Sequence, residues 1–292
     1  GAVYRFDKNS WSLVVGRPPC LRAARSTMQE RWVTMHELGL VMVALKSQGD
    51  QYQWQKVQHP FRSVTEACLS PDGKQLAIVG LLANQKSQLL RWNIDESNRL
   101  QESDQRAVDG ALFASWHPQG EGLLVLNQDG KWNLISESGE SEPLANNNWT
   151  ASALGSGSAS NLAGVRWLQE PWLPETTNRW HVAILSHEPN GSRIDFISLD
   201  PSFKENFSPI LSTSKITSFT TSPNENLLAI GDENGTLGVW FAAPSLDRGA
   251  RELFTLPGHR GASIGQVSFS DDGNSILSSD INRKSILWKS VK

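Results

Sequence analysis

Six histidines are the first residues to test for chemistry: His36, His59, His117, His181, His187 and His259. A neutral imidazole ligates metals, and near neutral pH it takes and gives protons. Zinc sites place their ligands at short, regular spacings on one element, and no pair of these histidines has such a spacing. His181 and His187 are six residues apart around an expected strand, so they share a face but stand far apart along it. Cys20 and Cys68 are the only cysteines, and they form neither a metal spacing nor a disulfide framework. Motifs of activated nucleophiles are missing: there is no Gly-x-Ser-x-Gly, no His-Glu-x-x-His and no Walker-type Gly-x-x-x-x-Gly-Lys. A sialidase-like Ser-x-Asp-x-Gly repeat is missing too. Carboxylates are plentiful, but the sequence places no two of them in one pocket. The expectation is a protein without catalytic residues, metal or cofactor, and not an enzyme. The Asn-x-Ser/Thr triplets at Asn148, Asn190, Asn206 and Asn234 are what a sequence rich in these residues produces by chance. Asn234, just before Gly235, marks a hairpin turn.

Charge excludes further classes. The 292 residues hold 27 Lys and Arg against 30 Asp and Glu, a net charge of −3. Nucleic-acid binders present a basic face that releases counterions from phosphates. No Lys/Arg run exists here, so nucleic acid is not the expected partner. Nor is a membrane, because no stretch approaches the ~18 apolar residues that span a bilayer. The longest apolar run, 38–45, has the length of a buried strand. Gly1 in place of Met reads as a trimmed or processed protein, or as one domain of a longer one. Low net charge and two unpaired cysteines favour the cytoplasm.

The elements that must position these residues show themselves as a repeat. One turn-forming string recurs: Ser70-Pro71-Asp72-Gly73, His117-Pro118-Gln119-Gly120, Ser222-Pro223-Asn224-Glu225 and Ser270-Asp271-Asp272-Gly273. Pro presets φ, Asp or Asn bonds its own backbone, and Gly accepts positive φ. A short alternating segment precedes each string, at 64–69, 111–116, 216–221 and 264–269. A second apolar run follows, and a third ends in an aromatic. Alternation with period two between turn signals reads as strand, and a row of such strands as an all-β protein. The third-strand aromatics act as a ruler: Trp54, Trp92, Trp132, Phe196, Trp240 and Trp288, with steps of 38, 40, 64, 44 and 48 residues. Four steps lie near the roughly 40–45 residues of one four-stranded propeller blade. The 64-residue step holds a Gly/Ser-rich stretch and reads as one blade with a long loop. An excess of Trp (12) over Tyr (2) is then a signature of the repeat.

Two segments, 227–240 and 258–288, resemble WD-repeats of the WD40 family. The second carries Gly258-His259, a turn at 270–273, Ser278 and Trp288. The resemblance implies a structural network in which His259 bonds the Ser278 hydroxyl and ties in Trp288, with an acid at Asp280 or Asn282. In the first segment Trp240 closes the strand, Ile230 stands where the Ser belongs, and Asn234 stands for the Asp. The expected fold is one all-β β-propeller domain over residues 1–292. It has six four-stranded blades, with seven as the alternative. The first blade is expected to use 31–35, 38–45 and 52–57 as its first three strands. The last blade ends at its third strand, so residues 3–6 or 11–15 are expected to close the ring. Residues 3–7 also read as the remnant of a seventh blade.

Counting back from the turns aligns Cys68, Ser115, Arg166, Thr220 and Ser268 along the innermost strands. Cys68 reads as a small packed residue. Arg166 is the exception, either a binding group or a core residue whose head reaches water. The residues just before these strands are Ser63, Gly110, Asn161, Lys215 and Ser263, the positions that line a propeller's channel mouth. Ser63, Asn161, Arg166, Lys215 and Ser263 are therefore the candidate binding residues, set against the plainer reading of a solvated rim. Trp149 and Trp172 are further candidates for an exposed contact. The resemblance implies a scaffold for a protein or peptide partner. The rival is a propeller enzyme or ligand binder with a polar site in its channel.

Overall fold

Short apolar runs between turn formers leave no sustained helical period, and the computed structural model of the protein is accordingly built of strands. It describes residues 3–7, 10–15, 20–26, 31–46, 52–102, 107–136, 141–143, 162–169, 180–198, 208–223, 227–242, 250–270 and 272–289. The fold is an all-β, six-blade propeller of antiparallel blades built on four-stranded meanders, of which blade 6 shows three strands among the described residues. Two compact units divide it, Gly1–Asn147 and Asn148–Lys292.

In the first unit β1 (Val3–Asp7) pairs with β2 (Ser10–Val15). Blade 1 is β3 (Cys20–Arg25), β4 (Trp32–His36), β5 (Val41–Lys46) and β6 (Tyr52–Lys56). Blade 2 is β7 (Ser63–Leu69), β8 (Gln75–Leu81), β9 (Ser87–Ile94) and β10 (Leu100–Glu102), with the short β11 (Val108–Asp109) also on β9. Blade 3 is β12 (Ala111–Trp116), β13 (Leu123–Asn127), β14 (Trp132–Ile135) and β15 (Ser141–Pro143). In the second unit blade 4 is β16 (Leu162–Gln169), β17 (Trp180–Glu188), β18 (Gly191–Ser198) and β19 (Ile210–Ser212). Blade 5 is β20 (Ile216–Thr221), β21 (Leu227–Asp232), β22 (Thr236–Phe241) and β23 (Arg251–Pro257). Blade 6 is β24 (Ile264–Phe269), β25 (Ser275–Asp280) and β26 (Ser285–Lys289).

The second strands explain the cores. Side chains alternate across a strand, so a strand buried on both faces reads as continuously apolar. In β8, Leu76 and Ile78 join a cluster with Val33, Val41 and Val43 of blade 1. The intervening Ala77 and Val79 join another with Ala114, Leu123 and Val125 of blade 3. In β21, Leu228 and Ile230 pack with Leu185, Ile194 and Phe196 of blade 4, while Ala229 packs with Val267 and Ile276 of blade 6. The cores therefore lie between neighbouring blades.

The recurring turn string closes the hairpins as its chemistry predicts. Ser70 donates its hydroxyl to Asp72 Oδ1 at 2.6 Å, and the same oxygen accepts the Lys74 N–H at 3.0 Å. Ser270 and Asp272 repeat this at 2.5 Å. The Ser270 hydroxyl, first, and then the N–H groups of the Asn274 backbone and carboxamide hold the Asp272 carboxyl down to about 2. In the second string His117 takes the serine's place, and its Nδ1 accepts the Gln119 N–H at 3.3 Å. Gly73, Gly120 and Gly273 have φ of +71°, +83° and +70°, the left-handed region that glycine enters without a Cβ penalty.

Two expectations change. Residues 31–35, 38–45 and 52–57 supply the second, third and fourth strands of blade 1, because β3 precedes them. Trp54 therefore lies in a fourth strand. The first strand escaped notice because neither a Pro-Asp-Gly turn nor clean alternation marks 20–25. Trp132 opens its third strand instead of closing it, and Ile135 takes the level that Trp92 and Trp240 hold in theirs. At the N-terminus β1 and β2 pair with each other, and at the C-terminus β26 pairs with β25.

Pairing registers reveal a further repeat. Every first strand has a bulge at the same level, skipping Leu21, Thr65, Leu112, Ala163, Thr217 and Gly265 in turn. A bulge bends its strand and raises the local twist. Leu76 has no exposed surface and sits between blades 1 and 2. Leu76→Ala is expected to cost about 2–5 kcal/mol, read as a lower urea midpoint. An unchanged midpoint would contradict its placement in the core.

Candidate functional site

The best-defined side-chain network is in blade 6. Trp288 Nε1–H donates to Ser278 Oγ at 2.9 Å. Ser278 Oγ lies 2.8 Å from His259 Nε2, and His259 Nδ1 lies 2.9 Å from Asp280 Oδ2. A carboxylate only accepts, so Nδ1 carries the proton. In the neutral imidazole the Ser278 hydroxyl then donates to Nε2, and the relay runs in one direction from indole to carboxylate. His259, Ser278 and Asp280 are buried. Gly258 makes the approach possible, since a Cβ there would stand 2.5 Å from the Trp288 ring. This settles the acid as Asp280. Its Oδ1 also accepts the Lys284 N–H at 2.9 Å.

Trp240 stands apart from this network. It pairs with Leu228 and packs against the core between blades 4 and 5. Ile230 occupies the level of Ser278 and offers no hydroxyl. Register corrects the acid here as well: Asp232 faces Ile216 as Asp280 faces Ile264. Asp232, not Asn234, holds the acid position, and its Oδ1 accepts the N–H groups of Asn234 and Thr236 at 3.0 and 2.8 Å. Blade 1 has its own version, which the sequence pattern does not disclose. Thr34 and His36 stand at the levels of Ser278 and Asp280, and Thr34 Oγ1 lies 2.8 Å from His36 Nε2. The signal was a Thr-x-His in a second strand, visible only once the register is known.

The candidate binding residues separate by unit. In the second unit Lys215 is exposed just before β20. Its backbone is clamped: its N–H donates to Glu233 Oε1 at 3.0 Å, and its carbonyl accepts the Glu233 N–H at 2.9 Å. His187 is tied to the same segment. Its Nδ1 lies 3.1 Å from Ser192 Oγ, which accepts the Ile216 N–H at 2.9 Å. Burial, and then the Lys215 charge, push the His187 imidazole below its ordinary range, against the pull of Glu233. Arg166 is exposed on β16, with its guanidinium 5.3 Å from the Phe219 ring centre and Nη1 donating to the Val165 carbonyl at 2.8 Å. Gly164 leaves room for that ring, since a Cβ would stand 2.9 Å from it. Ser263 is half-buried before β24, and its carbonyl accepts the Ile281 N–H at 3.0 Å. Asn161, Trp149 and Trp172 lie outside the described residues.

In the first unit Ser63 is half-buried at the start of β7, opposite Leu81. Cys68 packs on blade 3, its thiol 3.6 Å from the Ala114 carbonyl, and burial pushes the thiol well up. His59 reaches the Gly39 carbonyl with Nε2 at 2.9 Å. Arg31 was not legible as functional or structural. It is buried, and its two terminal nitrogens donate to the Gly73 carbonyl at 2.6 Å and to Asn98 Oδ1 at 2.9 Å, 42 and 67 residues away. Among the described residues no three His, Cys, Asp or Glu gather in a group that could hold a metal, and no helix is long and apolar enough to cross a membrane.

This is a propeller whose last blade holds a Gly-His, Ser, Asp and Trp network. The family model of the WD domain, G-beta repeat (WD40) matches residues 207–240 and 250–289, which contain blade 6's network and most of blade 5. No curated protein matches the sequence.

Two tests bear on the network. Ser278→Ala leaves a buried imidazole nitrogen and indole N–H without their partner, and is expected to cost about 2 kcal/mol. Ser279→Ala, part-exposed beside it, is expected to cost under ~0.5 kcal/mol. Urea unfolding of both variants checks this. The second test is pH. Burial opposes the charge on Asp280, but hydrogen bonds from His259, Lys284 N–H and Asn282 N–H outweigh it and hold the carboxyl below its ordinary range. A carboxyl depressed in the folded state stabilises fully above its unfolded value of about 4 and loses that contribution as pH falls through the folded one. The wild-type midpoint should therefore drop more steeply below about pH 4 than that of Asp280→Asn. Parallel profiles would contradict the pairing.

Proposed function

We propose that the protein is a non-catalytic scaffold that holds a protein or peptide partner on the loop rim of its propeller, with Lys215 and Arg166 as the leading contacts. WD40 propellers are commonly protein-interaction scaffolds and are generally non-catalytic. The observation that carries the reading is the fixed presentation of two exposed cations in the second unit. Lys215 stands on a backbone clamped twice to Glu233, and Arg166 is seated on Phe219 and the Val165 carbonyl. Groups held before binding lose little freedom on contact, and such preorganisation raises affinity. Arginine is also enriched among the residues that dominate interface energetics. Ser263, half-buried before β24, would add a small polar contact in the second unit. The proposal treats residues 1–292 as one propeller domain.

Charge reversal tests the reading. A pull-down with wild type is compared with the double variant Arg166→Glu, Lys215→Glu, with urea unfolding of both proteins to establish that the variant is folded. Partners retained by wild type should be lost by the variant. Equal retention of every partner would show that this rim is not the binding surface.

A further inference from the structure

Two Asn-Gly pairs stand in hairpin turns of the second unit: Asn190-Gly191 between β17 and β18, and Asn234-Gly235 between β21 and β22. Asparagine before glycine invites one reaction, because glycine's lack of a Cβ leaves its amide nitrogen open to approach the asparagine carboxamide carbon. The protein holds the two pairs very differently. Asn234 is tied on every side. Its backbone N–H donates to Asp232 Oδ1 at 3.0 Å, and its carboxamide donates to Ser214 Oγ at 2.9 Å. The Gly235 N–H donates to the Asp232 carbonyl at 3.3 Å, and Gly191 is likewise held opposite Glu188 in the β17–β18 ladder, so the difference lies in the asparagine side chains. Asn190 is exposed in a two-residue loop after Pro189, and its side chain makes no hydrogen bond among the described residues.

We propose that Asn190 is a site of spontaneous covalent modification in the folded protein, deamidating through a succinimide, while the clamped Asn234 is protected. The Gly191 amide nitrogen loses its proton to solvent base and attacks Asn190 Cγ. A new bond forms from that nitrogen to Cγ, the Cγ–Nδ2 bond breaks, and ammonia leaves with the balancing protons. Water then opens the cyclic imide at either carbonyl, giving aspartate or isoaspartate. No oxidant or reductant is involved.

The position gives the reaction a consequence. Gly191 is pressed against the next segment, where any Cβ would collide with the Ser212 carbonyl oxygen. Its neighbour Ser192 accepts the Ile216 N–H at 2.9 Å. Isoaspartate adds a methylene to the backbone of a two-residue loop, and both products put a carboxylate where a neutral amide stood. The strain and the new charge arise beside residues 212–216, which include Lys215. Ageing at Asn190 thus alters the rim without touching the blade core.

The test incubates folded protein at mildly alkaline pH and maps the digest by mass spectrometry, with isoaspartate counted by enzymatic methyl transfer. Position 190 should react about tenfold faster than 234, the factor imposed by the one hydrogen bond that holds the Asn234 carboxamide on Ser214. In urea the two rates should converge, since glycine follows both asparagines. Asn190→Gln should remove most of the isoaspartate from the folded protein. Reaction at 234 as fast as at 190, or an inert 190 in folded protein that reacts in urea, would overturn the proposal.

Discussion

A four-stranded meander whose second strand is apolar on both faces cannot stand by itself. One face can be buried against a neighbour, and the other must find a second neighbour. Blade 2 shows the constraint plainly, with Leu76 and Ile78 turned to blade 1 and Ala77 and Val79 turned to blade 3. Blade 5 repeats it in the second unit. Stacked repeats of this kind draw their stability from nearest-neighbour interfaces. The polar devices are arranged around that need. Turns lie at strand ends, while the hydrogen-bonded networks of blades 1 and 6 sit on buried second strands.

These devices differ from blade to blade while the backbone level stays the same. Blade 6 uses Trp288, Ser278, His259 and Asp280. Blade 1 reaches a similar end with Thr34 and His36, and blade 5 keeps only Asp232, which serves its own turn. In blades 1 and 6 the buried polar groups of the network satisfy one another within a few ångströms, as burial in a low-dielectric interior requires. The shared first-strand bulge sets these levels. It appears in all six blades although the residues it skips range from Leu21 and Thr65 to Gly265.

The alternation at 111–116, 216–221 and 264–269 and the Ser-Pro-Asp-Gly turns made blades 2, 3, 5 and 6 legible residue by residue. Their signals are local, a two-residue period and a five-residue hydrogen-bonded turn. Blade 1 was misread by one strand because β3 lacks both signals and is recognisable only from its ladder with β4. The network at His259, Ser278 and Trp288 was legible through resemblance. Its acid was not, because Asp280 and Asn282 are close in sequence and only register separates them.

Sequence alone determined the all-β architecture, the blade spacing and the turn chemistry, since each depends on residues near one another along the polypeptide. It also singled out Lys215 and Arg166 by charge in otherwise small, polar columns. Tertiary structure decided what those residues touch. Arg166 rests on Phe219, 53 residues on, and Arg31 holds Gly73 and Asn98. Contacts of that range carry no local pattern, because they follow from which blade faces pack together, and that is settled only when apolar faces bury each other.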